Sequence, residues 1–221
     1  MAITHHPDPA TLLSFAGGGL KEALSAVVAA HVAICPQCAR EMRTMMRIGG
    51  AALEHLRGEP VEPIDGPRLW SALPGAAARG RETVNPAADH DVVGDVPGPI
   101  RPLVGARLDE IAWRRLGYGI WHYPLPVRGE SGGDLRLLRI SAGLAMPEHG
   151  HGGSELTLVL RGAYSDETGT YRAGDLADLD EDVEHRPITD VENGCICLIA
   201  SEKRARFKTL FGRLVQPLVG L

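Results

Sequence analysis

Residues 143–162 read GLAMPEHGHGGSELTLVLRG. If His149 and His151 lie on a strand, they point to the same face, because side chains alternate with a period of two. Glu155 opens the next apolar run after a turn rich in glycine. Two strands of a hairpin can therefore aim two imidazoles and a carboxylate into one cavity. His185, in EDVEHRP, comes from a later run and can close the same site. Three nitrogens and one carboxylate suit a divalent transition metal: zinc, iron or manganese. The competing reading makes these residues ordinary surface turns.

The surrounding sequence keeps the period of two. YGIWHYPLP, DLRLLRISAG, ELTLVLRG, GTYRAGDLADL and GCICLIAS are short runs separated by Gly, Pro and Asp turns. Short strands at such spacing form a sandwich or a barrel. Cys195 and Cys197 alternate in one run and read as buried strand residues. The acidic stretch GDLADLDEDVEH reads as a solvated loop or a lid, and the tail after residue 201 is basic and then apolar.

The first part of the chain has a different period. PDPATLLSFAGGG offers Asp8 as a helix N-cap, Pro9 at the first helical position, and Gly17–Gly19 as a stop. In the next helix Leu20, Leu24, Val27, Val28, His31 and Cys35 form a stripe at helical spacing. Pro36 cannot continue that helix but suits the first turn of another. Cys35 then sits at a junction between helices, with Cys38 in the first turn of the third. A short helix is expected at RLWSAL, residues 68–73, after the Pro-rich 59–67. Residues 74–100 contain Pro74, Pro86, Pro97 and Pro99 with weak periodicity, as a linker does. The expected division is 1–73 helical, 74–100 linker and 101–221 strands.

His31, Cys35 and Cys38 follow the spacing H-x3-C-x2-C. His31 and Cys35 lie one turn apart on one face. Imidazole and two thiolates suit zinc in a closed tetrahedral site. A fourth ligand is needed, and His5, His6, His55 or an acidic group can supply it. A buried cysteine pair beside a core histidine is the plainer reading. A redox C-x-x-C would follow a strand, whereas here a helix precedes it.

Charge narrows the classes. The 221 residues carry a formal net charge of −5. Residues 1–85 hold eight basic and eight acidic side chains, while 86–221 hold fifteen and twenty. The first part therefore has no basic stripe with which to grip nucleic acid. No apolar run approaches the roughly 20 residues of a spanning helix. The start MAITHHPDPA has no basic then apolar leader. A cytoplasmic protein with mostly reduced thiols is the expectation.

The second half resembles the cupin superfamily. Its first motif, G-x5-H-x-H-x3/4-E-x6-G, is matched by Gly143, His149, His151, Glu155 and Gly162. Its second motif is matched only in part: Gly174 lacks the proline, His185 comes eleven residues later, and the final Asn is missing. The first half resembles the zinc-binding anti-sigma domain through His31, Cys35 and Cys38. The order of the two parts resembles the ChrR-type anti-sigma factors over roughly residues 3–200.

That resemblance implies a two-domain α plus β architecture, a small zinc-binding helical bundle followed by a cupin of jelly-roll or barrel form. It implies His6 as the fourth zinc ligand beside His31, Cys35 and Cys38. It implies a second metal, zinc or alternatively iron or manganese, at His149, His151, Glu155 and His185. The implied function is to hold an extracytoplasmic-function sigma factor, one to one, and release it on an oxidative signal such as singlet oxygen. Met42, Met45 and Met46 could line the gripping surface, or pack as core. The route from cupin to helices is expected through the 74–100 linker. The other function class is a metal-dependent cupin enzyme, a dioxygenase or isomerase, with Trp121, His122, Arg136 and Arg139 around a pocket.

Overall fold

The computed structural model describes residues 2–56, 94–127, 133–150, 152–202 and 206–207. Three helices come first: α1 (Pro9–Ala16), α2 (Glu22–Ile34) and α3 (Pro36–His55). Asp8 caps α1 as its sequence demands. Its carboxylate accepts from the Ala10 N–H at 2.7 Å, and Pro9 takes the first helical position. Cys35 ends α2 and begins α3, and the two helices turn through 115° there. Among the described residues no single helix is long and apolar enough to cross a membrane. The short helix expected at 68–73 lies outside the described residues.

A 3-10 turn at Gly98–Ile100, a short helix α4 (Arg101–Val104) and a second 3-10 turn at Leu108–Glu110 lead into the strands. These are β1 (Arg114–Gly117), β2 (Ile120–Pro124), β3 (Asp134–Ile140), β4 (His149–Gly150), β5 (Glu155–Ser165), β6 (Thr170–Arg172), β7 (Leu176–Leu179), β8 (Glu184–His185), β9 (Ile188–Thr189), β10 (Cys195–Ser201) and β11 (Arg206–Phe207). The large sheet runs β1-β2-β3-β10-β5-β6, with β7 and β9 also paired to β5. A small sheet runs β11-β4-β8. Every pairing is antiparallel, as expected of a cupin.

Gly162 shows why the motif ends in glycine. Its φ is +75°, and a Cβ there would sit on the carbonyl oxygen of Gly194. The β5–β10 register shifts beside it, with Arg161 opposite Ile196 but Val159 opposite Cys197. One extra residue on β5 bends the strand, so its two ends can serve different neighbours.

The helices are not held apart from the cupin. Leu12 of α1 and Leu24, Val27 and Val28 of α2 share one hydrophobic cluster with Leu135, Leu137, Leu156, Leu158 and Leu198 of the sheet. The sheet's second face forms another cluster around Leu138, Val159, Tyr164, Tyr171 and Cys197. The end of the expected linker is also packed. Val96 and Ile100 are each 1% exposed and belong to the first cluster. The segment 94–100 is therefore anchored to the core through these two apolar side chains, while Gly94, Asp95 and Pro99 are exposed. Residues 57–93 fall outside the described residues. The acidic stretch is not a loop throughout: Leu176–Leu179 is strand β7, with Leu176, Ala177 and Leu179 buried.

Candidate metal centres

The helical group comes together around His6. Its Nδ1 lies 3.5 Å from Cys35 Sγ and 3.4 Å from Cys38 Sγ. A tetrahedral zinc with Zn–S of about 2.3 Å and Zn–N of about 2.05 Å requires an N···S edge of about 3.6 Å. The ligand atoms of His6, His31, Cys35 and Cys38 all lie within 4.8 Å of one another. His31, Cys35 and Cys38 are buried, and His6 is half-buried.

His31 carries the most informative contact. Its Nδ1 is 3.1 Å from the carbonyl oxygen of Gly174. A carbonyl only accepts, so Nδ1 bears the hydrogen and Nε2 carries the lone pair. Nε2 is buried and has no hydrogen-bond partner among the described residues. A buried nitrogen lone pair without a donor, aimed among two thiols and an imidazole, is what a missing cation explains. Burial and the neighbouring His6 push the His31 pKa down to about 4, so the ring is neutral and fit to ligate. Burial and the proximity of Cys35 push the Cys38 thiol up to about 12. A dipositive ion would reverse that preference and hold the sulfur as thiolate.

The second group is set by strand pairing. β4 and β8 place His149 directly opposite His185, with ring centroids 4.6 Å apart. Glu155, at the start of β5, is buried beside them, and one ligand atom from each of the three lies within 4.8 Å of the others. His151 lies outside the described residues. His149 Nδ1 is 2.9 Å from the Pro147 carbonyl, and His185 Nδ1 is 2.7 Å from Asp166 Oδ2. The Pro147 carbonyl fixes the His149 hydrogen on Nδ1, and the Asp166 carboxylate does the same for His185. With the hydrogen on Nδ1, each ring has the tautomer in which Nε2 carries the lone pair that a metal would take. These donors fit a transition-metal ion, with chemistry nearer zinc, iron or manganese than calcium.

Asp166 was not singled out by the sequence. Its Oδ1 accepts from the N–H groups of Thr168 and Gly169 at 2.8 and 3.1 Å, which locks the turn. Burial opposes its ionisation, but the His185 and Thr168 donors outweigh this and hold it below the usual carboxylate range. The cavity beside the group measures about 60 Å³ and is lined by Met146, Tyr164, Cys195 and Cys197 as well as the ligands. Tyr164 is buried there, and its hydroxyl has no partner among the described residues.

A strap at the chain start positions His6. Asp175, 2% exposed, accepts the Thr4 N–H at 2.7 Å and the His5 N–H at 3.0 Å through Oδ1, and the Arg172 N–H at 2.9 Å through Oδ2. The Leu176 N–H donates to the His5 carbonyl at 3.2 Å. Burial works against the Asp175 carboxylate, but the Arg172, Thr4 and His5 donors hold its pKa below the ordinary range.

The residues considered for an enzyme pocket are divided. Trp121 and Arg139 line a surface cavity of about 290 Å³ with Arg161, away from the metal group. Arg136 is buried and paired with Asp134. Of the three methionines, Met42 and Met45 pack against the core, and Met46 is exposed.

The fold and the two donor groups define a class: a cupin whose sheet carries a helical H-x3-C-x2-C metal module. Residues 103–205 match the ChrR cupin-like domain family. Over 217 residues the chain is 39% identical to the anti-sigma-E factor ChrR of Cereibacter sphaeroides, covering 98% of each. The crystal structure of Rhodobacter sphaeroides SigE in complex with the anti-sigma ChrR matches with a TM-score of 0.73 and 36% identity, over 90% of this chain and all of that one. The chain belongs to the ChrR family of anti-sigma factors.

Proposed function

We propose that this protein is a zinc-dependent anti-sigma factor that binds an extracytoplasmic-function sigma factor, one to one, in the cytoplasm and withholds it from RNA polymerase. The observation that carries this reading is the near full-length match to a named anti-sigma factor, with both donor groups assembled in the fold.

The first part of α3 is anchored by Cys38, Met42 and Met45, and its remainder stands clear of the body. Met46, Ile48, Leu53 and Leu56 are between 55% and 69% exposed. Large apolar side chains so exposed on one helix favour a partner that buries them. A sigma factor docking against α3 in the helix-in-groove manner accounts for them. Zinc supplies folding energy to the junction from which α3 projects, so metal at His6, His31, Cys35 and Cys38 fixes the direction of the grip.

In the cupin, His149, His151, Glu155 and His185 would hold a second metal, and that site would read the releasing signal, an oxidant of the singlet-oxygen type. When bound, this ion supplies a Lewis-acidic centre open to a small oxygen-bearing molecule. Asp166 orients His185, and the surrounding apolar wall excludes bulk water. The cavity of about 60 Å³ is far below the roughly 300–1,000 Å³ of an organic substrate pocket. That difference favours a sensor over a dioxygenase or isomerase acting on a diketone or organic acid.

The test is capture from host lysate by the tagged full-length chain, beside a Cys35→Ser, Cys38→Ser version, with bound proteins identified by mass spectrometry. The expected outcome is a sigma factor on the first and none on the second. Absence of any sigma factor from the zinc-loaded wild type rejects the reading.

A further inference from the structure

We propose that the turn between β6 and β7 is a joint shared by the two metal groups, with Asp175 the positioning residue that makes occupation of one group depend on the other.

One side of this turn builds the helical group. The Gly174 carbonyl orients His31, and the Asp175 carboxylate fixes the backbone on the N-terminal side of His6. Gly174 has a φ of +96°, and a Cβ on it would come within 2.7 Å of Ile3 Cγ1, so the strap lies flat on the turn. Both histidines of the helical group thus take their orientation from this cupin turn, His31 from the Gly174 carbonyl and the His6 segment from the Asp175 carboxylate, rather than from the helices alone.

The other side reaches the second group. β7 pairs with β5 so that Leu179 lies opposite Glu155, a donor of that group. The Tyr171 ring stacks on Tyr164, centroids 5.0 Å apart, and packs against His5 at 4.5 Å. Tyr164 lines the cavity beside His149, Glu155 and His185. A hairpin a few residues long therefore touches both sites, and a change of strand position at one must be accommodated at the other. Such a coupling is reciprocal: metal in the cupin group strengthens zinc binding at the helical group by the same factor by which zinc there strengthens metal binding in the cupin. The contact is direct and does not pass through the segment before residue 94.

The experiment follows alkylation of Cys35 and Cys38 in the zinc-loaded full chain, resolved by peptide mass spectrometry. Cys195 and Cys197 serve as internal reporters of cupin folding. Asp175→Ala should accelerate labelling of Cys35 and Cys38 about 10–100-fold, the usual effect of removing an outer-shell partner of a metal site, with Cys195 and Cys197 still protected. His149→Ala, which alters no residue of the helices, should accelerate the same two thiols in the wild-type background and add little in the Asp175→Ala background. If Asp175→Ala exposes all four thiols, Thr4→Pro removes the Thr4 N–H and hydroxyl, both donors to Asp175, and changes no cupin residue. It should then give the selective acceleration. Unchanged Cys35 and Cys38 rates in a folded Asp175→Ala or Thr4→Pro chain, or strictly additive effects of the pair, would overturn the joint. The inference rests on zinc at the helical group: equal labelling of stripped and zinc-loaded wild type refutes that reading and the joint together, whereas protected wild type with unaffected variants refutes the joint alone.

Discussion

Leu24→Ala should destabilise the cupin as much as the helices. Leu24 sits on α2, is 3% exposed, and belongs to the cluster that includes Leu137, Leu158 and Leu198 of the sheet. Truncating a leucine so fully enclosed costs about 2–5 kcal/mol, toward the upper end where neighbours cannot collapse into the space. α2 is held at one end by the Cys35 junction and along its length by the sheet, so collapse is restricted. For a chain of this size each kcal/mol lowers Tm by about 2–4 °C, which makes the expected fall roughly 4–20 °C. Two probes separate the possibilities. In a Trp70→Phe background Trp113 and Trp121 report on the second half by fluorescence, and thiol accessibility of Cys35 and Cys38 reports on the helices. With one shared core both transitions move together and coincide. A fall in the thiol transition with the tryptophan transition unmoved would show two independent units and refute the shared core.

Three further outcomes follow from the sites. Asp166→Asn should weaken metal at the cupin group about 10–100-fold in competition with a chelator, because Asp166 aligns His185; unchanged affinity would remove it from the site. Burial and the neighbouring Cys35 push the Cys38 thiol up to about 12, so between pH 6 and 8 it is protonated without metal and must lose its proton on binding. Zinc affinity at the helical group should therefore rise at least about tenfold per pH unit across that window, measured by chelator competition in a chain lacking the cupin ligands; a flat profile contradicts it. Met46→Lys with Leu53→Lys should abolish sigma factor capture while leaving Tm within a few degrees, since both side chains are exposed; retained capture would place the grip elsewhere.

Much of this was legible from local sequence chemistry. Asp8 and Pro9 announce α1, and Pro36 places Cys35 at a helix junction, because caps and proline act within a few residues. His149, Glu155 and His185, which the motif groups, stand together in the fold, while the alternation read for His149 and His151 falls on a residue outside the described ones. What could not be read joins residues far apart through the backbone. Thr4 and Asp175 are separated by 171 positions, and the bond uses an N–H that any non-proline residue would offer. The apolar stripe on α2 declares that a face is buried, but not that its partner is the cupin sheet. Val96 and Ile100 were hidden in a stretch whose prolines and glycines dominate its pattern. Asp166 and Thr168 read as a turn, yet the second carboxylate oxygen turning toward His185 has no signature in the chain.

The most direct test of sigma factor inhibition is in vitro transcription from a promoter served by the captured sigma factor, with the zinc-loaded chain added in increasing amount. Transcription should fall to background at one chain per sigma factor and return when zinc is stripped from Cys35 and Cys38. Undiminished transcription at a tenfold excess of zinc-loaded chain would contradict it.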